Sequence, residues 1–146
     1  MHESILNTLK DEHTDLFLVL REIETTADSS RRLKLFNQMK DSVVKHMRGE
    51  ELTIYERLRM DIANEKALEL SRISDRDHHH IRDYLQKLNL LPSDSEEWMK
   101  TFKEFRIFTE KHCAEEELEL FPAAKEEFSE YELEEIAFDF EEAKYH

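Results

Sequence analysis

The sequence predicts an all-α fold, an antiparallel up-down-up-down four-helix bundle with a short C-terminal fifth helix. The chain of 146 residues contains one Gly and two Pro, which leaves few residues suited to tight hairpin turns. Its apolar residues recur three and four positions apart, which is the period of an amphipathic helix. Polar clusters interrupt this pattern at regular places along the chain. We therefore expect long helices packed around one apolar core.

The predicted helices follow in order from these stripes and interruptions. Four apolar stripes run over residues 5–23, 35–54, 73–88 and 102–120. Breaks are predicted at residues 27–30, near 60–64 and at 91–95, where Ser and Asp are suited to cap helices. Pro122 should end or kink the fourth helix, because proline lacks a backbone N–H. A fifth helix is expected over about residues 130–143.

Composition argues against several classes of function. The net charge of −14 disfavours a nucleic-acid partner, since phosphate binding needs clustered Lys and Arg. Cys113 is the single cysteine, which excludes a disulfide framework and is typical of a reducing compartment. The N-terminal residues do not resemble a signal peptide, and no apolar run approaches the ~20 residues that span a membrane. We expect a cytoplasmic, soluble monomer without a membrane partner.

One motif of metal-ligand residue types occurs twice, a His followed about 33 residues later by His-x-x-x-Glu. The copies lie 65 positions apart at the first His and 66 positions apart at the other two residues. All of these residues lie on the apolar stripes, and within each copy the two His are equidistant from the predicted turn between their helices. Antiparallel helices would therefore place them at one level of the bundle. We predict one dinuclear metal site formed by His13, His46, Glu50, His78, His112 and Glu116.

The third histidine is chosen from a run of three. Successive helical residues point about 100° apart, so only one of the three can face the site. His78 has core spacing with Ile81 and Leu85, and it occupies the place of His13 in the repeat. His79 and His80 remain the alternatives.

Residues beside the motif are given no part in the site. Glu51, Glu115 and Glu117 flank the motif carboxylates and are expected to point elsewhere, mostly towards solvent. Tyr55 is expected to be a core or interface aromatic residue. Gly49 has three open explanations, namely a close helix contact, space beside a metal, or an exposed face without constraint.

The ligand types narrow the choice of metal. Imidazole and carboxylate together suit iron, manganese or zinc, and the absence of thiolates argues against a structural zinc finger. Two octahedral ions offer about twelve positions, of which four His, two bridging Glu and an oxo or hydroxo bridge would fill about ten. About two positions would stay open, as binding of O2, NO or peroxide requires.

These motifs resemble the hemerythrin-like family, whose members are often called HHE cation-binding domains. The resemblance covers nearly the whole chain and implies one domain over residues 1–146, a four-helix bundle holding a non-haem di-iron centre. The cofactor it implies is two iron ions with an oxo or hydroxo bridge, with Mn or Zn as other possibilities. The segments that carry it are Glu12-His13-x-x-Leu16, His46-x-x-x-Glu50-Glu51, Asp77-His78-x-x-Ile81-Arg82, 112–122 and 140–144.

Two differences from the oxygen-carrying members indicate which branch of the family the chain resembles. The oxygen-carrying members have a fifth His one turn before the third-helix ligand, where this chain has Ser74. The carriers also end their motif with His followed five residues later by Asp, whereas this chain has His112-x-x-x-Glu116. The ligand set therefore resembles the four-His, two-Glu branch, which is associated with sensing, iron handling and repair of nitrosative damage.

Three functions are compatible with the sequence. The first is a di-iron protein that binds or reduces a small oxidant (O2, NO or peroxide) for sensing or detoxification. The second is an iron reservoir or donor for repair of damaged iron centres. The third is a structural bundle that acts on a protein partner through its acidic surface. The residues leave open whether the protein is an enzyme.

Overall fold

The structure is a computed structural model that describes residues 4–60 and 64–145. Over these residues helices are the regular secondary structure, namely α1 Ile5–Thr25, α2 Ser29–Glu50, α3 Glu56–Met60, α4 Glu65–Leu90, α5 Glu96–Glu115, α6 Phe121–Glu127 and α7 Glu130–Ala143, with short non-helical connections between them. The long helices α1, α2, α4 and α5 form the bundle, and α1 packs on both α2 and α5 while α4 packs on the same two helices. Helix α7 lies against α1 and α2. The predicted fold class is confirmed.

The helices begin where polar side chains cap them. Asp28, Asn64 and Ser95 each accept a hydrogen bond from a backbone N–H in the first turn of the following helix. Ser129 and Glu132 form a reciprocal capping box at the start of α7, which spans the predicted residues. The predicted break near 60–64 includes residues 61–63, which lie outside the described residues.

Two π-helical turns interrupt the bundle helices, and the sequence analysis did not predict them. Glu51–Tyr55 joins α2 to α3, and Glu116–Leu120 joins α5 to α6. A residue five positions along a regular α-helix is turned by about 140° from the first, whereas the i→i+5 bonding of a π turn returns it to the same face. The turns therefore place Tyr55 on the face of Glu50, and Phe121 on the face of Glu116.

Pro122 does not end its helix, which continues from the second π turn through α6 to Glu127. Of the two predicted outcomes, an end of the helix at Pro122 is wrong, and a kink stays a prediction. Pro122 lies in the first turn of α6, where a backbone N–H is not required and the fixed φ of proline suits the helix.

The apolar core is divided into two clusters by the level of the motif residues. One cluster contains Leu9, Ile54 and Leu120, and the other contains Leu20, Met47 and Phe105. Helices α1 and α4 contribute to both clusters, whereas α2 and α5 contribute to the second cluster and the π turns and short helices that follow them contribute to the first. The polar motif side chains are thus enclosed by apolar side chains above and below.

Helix α7 closes one side of the bundle through a contact at the single glycine. A Cβ at Gly49 would lie 2.6 Å from Phe140 Cδ2 and 3.2 Å from its Cζ, so only glycine lets the ring approach α2 this closely. Of the three explanations for Gly49, the structure favours a close helix contact. Within the described ranges, no helix has the length and apolar composition needed to cross a membrane.

Candidate metal centre

The bundle brings all six predicted site residues together at its centre. They form two groups, and within each group the ligand atoms all lie within 4.8 Å of one another. Both groups contain Glu50 and Glu116, and the groups differ only in their histidines. The first group adds His13 and His46, and the second adds His78 and His112. Two shared carboxylates between two pairs of imidazoles are the arrangement that a carboxylate-bridged dinuclear site requires.

Each shared carboxylate contacts one histidine from each copy of the motif. Glu50 Oε1 lies 3.1 Å from His46 Nε2 and 3.4 Å from His78 Nε2. Glu116 lies 3.4 Å from His13 Nε2 through Oε1 and 3.5 Å from His112 Nε2 through Oε2. All four imidazoles therefore present Nε2 to the centre of the site.

Of the three consecutive histidines, the structure places His78 in the centre. His78 is fully buried, whereas His79 and His80 are exposed, and the His80 ring meets the edge of Phe108 at 5.7 Å between centroids. The helical spacing that singled out His78 therefore agrees with its position.

Each of the four imidazoles has a carboxylate on its outer nitrogen, at 2.6–2.9 Å from Nδ1. The pairs are His13 with Glu117, His46 with Glu12, His78 with Glu51 and His112 with Asp77. A carboxylate accepts a hydrogen bond from Nδ1–H, which leaves the Nε2 lone pair free for a metal. These partners follow the repeat. The His13–Glu117 pair is equivalent to His78–Glu51, and the His46–Glu12 pair is equivalent to His112–Asp77.

The expectation that Glu51 and Glu117 point away from the site is wrong. Each lies beside a shared carboxylate in sequence but reaches across to the outer nitrogen of an imidazole on a neighbouring helix. The doublets Glu50-Glu51 and Glu116-Glu117 occur at equivalent places in the two copies, so the repeat contained the signal. Glu115 is exposed, as expected.

Tyr55 is a further residue of the centre that sequence reasoning missed. Its buried hydroxyl lies 3.1 Å from His78 Nε2 and donates a hydrogen bond to Glu116 Oε2. Ser74, which stands where oxygen carriers have their fifth His, also hydrogen-bonds to this hydroxyl. Tyr55 is therefore a seventh residue with a donor atom in the centre, beside the six predicted ones.

Burial sets the electrostatics of the metal-free centre. Burial, followed by the charge of Glu116, raises the pKa of Glu50 well above its usual range. Burial also opposes ionisation of Glu116, but the neighbouring Glu50 and His13 outweigh it and hold the pKa of Glu116 well below its usual range. Burial and the two carboxylates raise the pKa of Tyr55. In the metal-free centre Glu50 therefore keeps its proton more readily than Glu116.

The donor atoms fit bound cations. Among the described residues, several buried ligand atoms have no hydrogen-bond partner, namely His13 Nε2, His46 Nε2, both carboxylate oxygens of Glu50 and Glu116 Oε1. A buried polar atom without a partner costs free energy, and such atoms are rare outside sites that hold an ion or water. All of these orphaned atoms face the same centre, and a pair of metal ions would satisfy them.

The fold and the site together define a four-helix-bundle protein with a candidate dinuclear centre of histidines and shared glutamates. The family model described as the hemerythrin HHE cation binding domain matches residues 4–124, and the chain belongs to this family. Proteins of this family bind metal cations, which agrees with the His and Glu cluster.

A solved structure supports the fold independently. The chain is similar to a hemerythrin HHE cation binding domain-containing protein from Mycobacterium kansasii, with a TM-score of 0.82 and 23% sequence identity. The similarity covers 98% of this chain and 88% of that protein. At this level of identity the likeness concerns the fold. A comparison with curated proteins finds no significant match.

Proposed function

We propose that the protein is a non-haem di-iron protein that binds or reduces a small oxidant (O2, NO or peroxide) for sensing or detoxification. The observation that carries the proposal is the sharing of Glu50 and Glu116 by two histidine pairs whose inward nitrogens face one buried centre. Imidazole and carboxylate donors without thiolate suit iron, with manganese or zinc as alternatives. Two iron ions, when bound, would supply the redox chemistry that the side chains lack.

The side chains of the chain have separate roles in this proposal. The six motif residues would hold the metals, and the four outer carboxylates fix the imidazole rings and keep their protons on Nδ1. The apolar clusters above and below exclude bulk water. A small reactant would thus meet the metals in a dry and rigid environment.

Tyr55 makes the two ends of the centre differ in the donor atoms that lie beside the histidines. Its hydroxyl occupies space beside His78, whereas the equivalent Phe121 stacks on His13 at 6.0 Å without offering a donor atom. The side chains beside His13 would therefore offer no donor atom in competition with a small oxidant, whereas Tyr55 would compete with it beside His78.

Metal analysis combined with absorption spectroscopy tests the proposal. The expected result is about two irons per chain and a visible spectrum that changes when O2, NO or peroxide is added. An iron-loaded protein whose spectrum responds to none of the three would overturn the oxidant function while leaving the metal centre intact. A protein purified from iron-supplied cells without bound metal would overturn both.

One observation favours an iron reservoir as the second candidate. His46 is the most exposed histidine of the centre, at 13% of its side chain, so the metals are not fully sealed. A reservoir would transfer its iron to a metal-free acceptor protein, and iron that stays bound in the presence of a competing chelator would exclude this role. In either case we propose a cytoplasmic monomer that does not require a nucleic acid or a membrane.

A further inference from the structure

The four histidines of the centre differ in their access to solvent. The side chains of His13 and His78 are 1% exposed and that of His112 is 4% exposed, whereas that of His46 is 13% exposed. The outer partner of His46 is Glu12, whose carboxylate is itself 27% exposed. Glu117 is 31% exposed, but the His13 imidazole behind it is sealed, so solvent comes nearest to an imidazole of the centre at His46.

A surface groove of about 470 Å³ ends at this pair. It runs between α1 and α2, and its apolar walls include Leu16 from α1 and Val43 from α2. Three carboxylates and two lysines line the same groove, so it has a net negative charge. The carboxylates belong to Glu12, Asp15 and Asp41, and the lysines are Lys45 and Lys144.

Lys144 closes the inner end of the groove. Its Nζ lies 2.8 Å from Glu12 Oε2 and 3.5 Å from Glu141 Oε1, and it stands 4.7 Å from the centre of the Phe140 ring. Glu12 uses its other oxygen to accept the hydrogen bond of His46 Nδ1. A direct chain thus runs from the ammonium group through Glu12 to an imidazole of the centre.

This contact can open without disturbing the bundle. Lys144 follows the last residue of α7, and Tyr145 beyond it is 73% exposed. Among the described residues, the contacts of the ammonium are one ion pair, a longer second one and a ring face, so the side chain can rotate away while the apolar contacts between the bundle helices stay in place. Partly exposed ion pairs are weak enough to open frequently.

We propose that the α1/α2 groove is the entrance through which divalent cations reach the centre, and that Lys144 is its gate. An incoming cation replaces the Lys144 ammonium at Glu12, because both are positively charged and both are attracted by the same carboxylate. The cation then passes His46 to the inward ligand atoms, and Lys144 returns to Glu12. No covalent bond forms or breaks in this exchange. The inference rests on the metal centre of the proposed function but not on its reaction.

The kinetics of Co²⁺ uptake test this route, since Co²⁺ reports its coordination by visible absorption and needs no oxidant. Stopped-flow mixing with metal-free protein gives the uptake rate, and mixing of the loaded protein with excess EDTA gives the release rate. Lys144→Ala opens the gate and should accelerate both by about two- to fivefold, the factor by which one partly exposed ion pair shifts a local equilibrium. Ser42→Trp places an indole in the groove from an exposed position on α2 and should slow both by about tenfold.

Matched variants on α4 control for charge and size. Lys87→Ala removes an exposed lysine, and Gln86→Trp adds an indole at an exposed position, both outside the groove. Both should load at the wild-type rate. Thermal unfolding of every metal-free variant checks that the bundle is intact before its rates are compared.

The outcomes separate the two proposals. Wild-type protein that binds no Co²⁺ would overturn the metal centre, and the entrance with it. Stoichiometric binding with rates of Ser42→Trp equal to those of Gln86→Trp would overturn the entrance alone. Slow loading of Ser42→Trp together with unchanged loading of Lys144→Ala would keep the groove as the route and overturn the gate.

Discussion

The two halves of the metal centre have the same donors but different surroundings. In each half the two imidazole centroids lie 5.0 Å apart, and each imidazole donates its outer N–H to a carboxylate. Beside His78 lies Tyr55, the last residue of the first π turn, whereas beside His13 lies the equivalent Phe121, which directly follows the second π turn. The repeated motif thus gives both halves the same ligand residues, and residues outside the motif make the two halves of the metal centre different.

Helix α7 adds a second difference, because Phe140 and the following Lys144 lie beside the first half. Phe140 packs on Gly49 and on the edge of the His46 ring at 6.3 Å, and Lys144 closes the groove beside it. On the other half, Arg82 at 2.8 Å from Glu51 fixes the outer partner of His78. The His78 half is therefore held by an ion pair within the bundle, whereas the His46 half is covered by α7 and the partly exposed Lys144 that follows it.

Replacement of a central histidine should have the largest effect. His78→Ala removes an inward nitrogen and should lower metal affinity by more than about 100-fold, beyond the 10- to 100-fold typical of an outer partner. His79→Ala, at an exposed position next to it, should retain the wild-type metal content. Metal analysis of both purified proteins checks this. Equal metal content in the two variants would show that the third histidine was wrongly chosen.

Removal of metal should destabilise the whole bundle. The buried ligand atoms lose their partners in the metal-free protein, so a metal that binds only the folded state stabilises it by about 4 kcal/mol at a free concentration of 1,000 times Kd. Denaturant unfolding with and without a chelator measures the difference. An unfolding midpoint that does not depend on metal would contradict a ligand role for these atoms.

Removing an outer carboxylate tests whether the halves are equally supported. Glu51→Gln and Glu117→Gln should each lower metal affinity by about 10- to 100-fold, because each fixes one imidazole. Equilibrium competition with a chelator measures both. A loss of metal affinity in only one of the two variants would mean that the two halves of the centre do not contribute equally to metal binding.

Glu51 also gives the metal-free protein a pH dependence. Burial opposes its ionisation, but hydrogen bonds from His78 and Arg82 prevail and lower its pKa to about 2, from an ordinary value of 4.5. A lowered carboxyl pKa stabilises the fold above pH 4.5, and this stabilisation is lost as the pH falls towards 2. Glu51→Gln should therefore cost about 2–3 kcal/mol at pH 7 and little near pH 2. A pH-independent difference in unfolding free energy would contradict this assignment.

The contact of α7 with the first half is tested at Gly49. Gly49→Ala forces Phe140 to move and should lower the free energy of unfolding by about 1–3 kcal/mol. Glu115 occupies the same place in the second copy and is exposed, so Glu115→Ala should change stability by less than about 0.5 kcal/mol. Thermal or denaturant unfolding of the two variants compares them directly. Similar values would mean that α7 does not seal the first half.

Tyr55→Phe makes the two halves alike and should have the smallest effect on stability. It removes one buried hydroxyl and should cost about 1 kcal/mol, while Tyr84→Phe, outside the centre, should be neutral. The metal-loaded Tyr55→Phe protein should differ from wild type in its absorption spectrum, whereas Tyr84→Phe should not. Identical spectra for all three proteins would exclude the hydroxyl from the surroundings of the metal.

The fold and the candidate site residues could be predicted from local patterns in the sequence. Helix periodicity placed His13 and His78 on core stripes, and capping residues such as Ser95 marked the helix starts. The equal distances of paired histidines from their turns placed them at one level. These signals are local, so the sequence alone contained them.

Features that depend on contacts between helices were not accessible in this way. The side chain of Glu51 reaches an imidazole 27 residues away, and α-helical periodicity assigned its direction to solvent. Tyr55 faces the centre only because a π turn replaces a regular turn, and no periodic pattern distinguishes the two. The reason for Gly49 lies in a ring from α7, 91 positions further along the chain.

The two π turns also concern the ancestry of the chain. Each is equivalent to one residue inserted into a regular helix, and the widened turn absorbs it so that later side chains keep their direction. The first turn begins one residue after Glu50 and the second begins at Glu116 itself, so the two insertions lie within one residue of equivalent places. Duplication of a hairpin that already contained one insertion requires fewer events than two separate insertions. Relatives with a regular helix at this point should therefore show single-residue gaps within residues 51–55 and 116–120 while they retain the bundle.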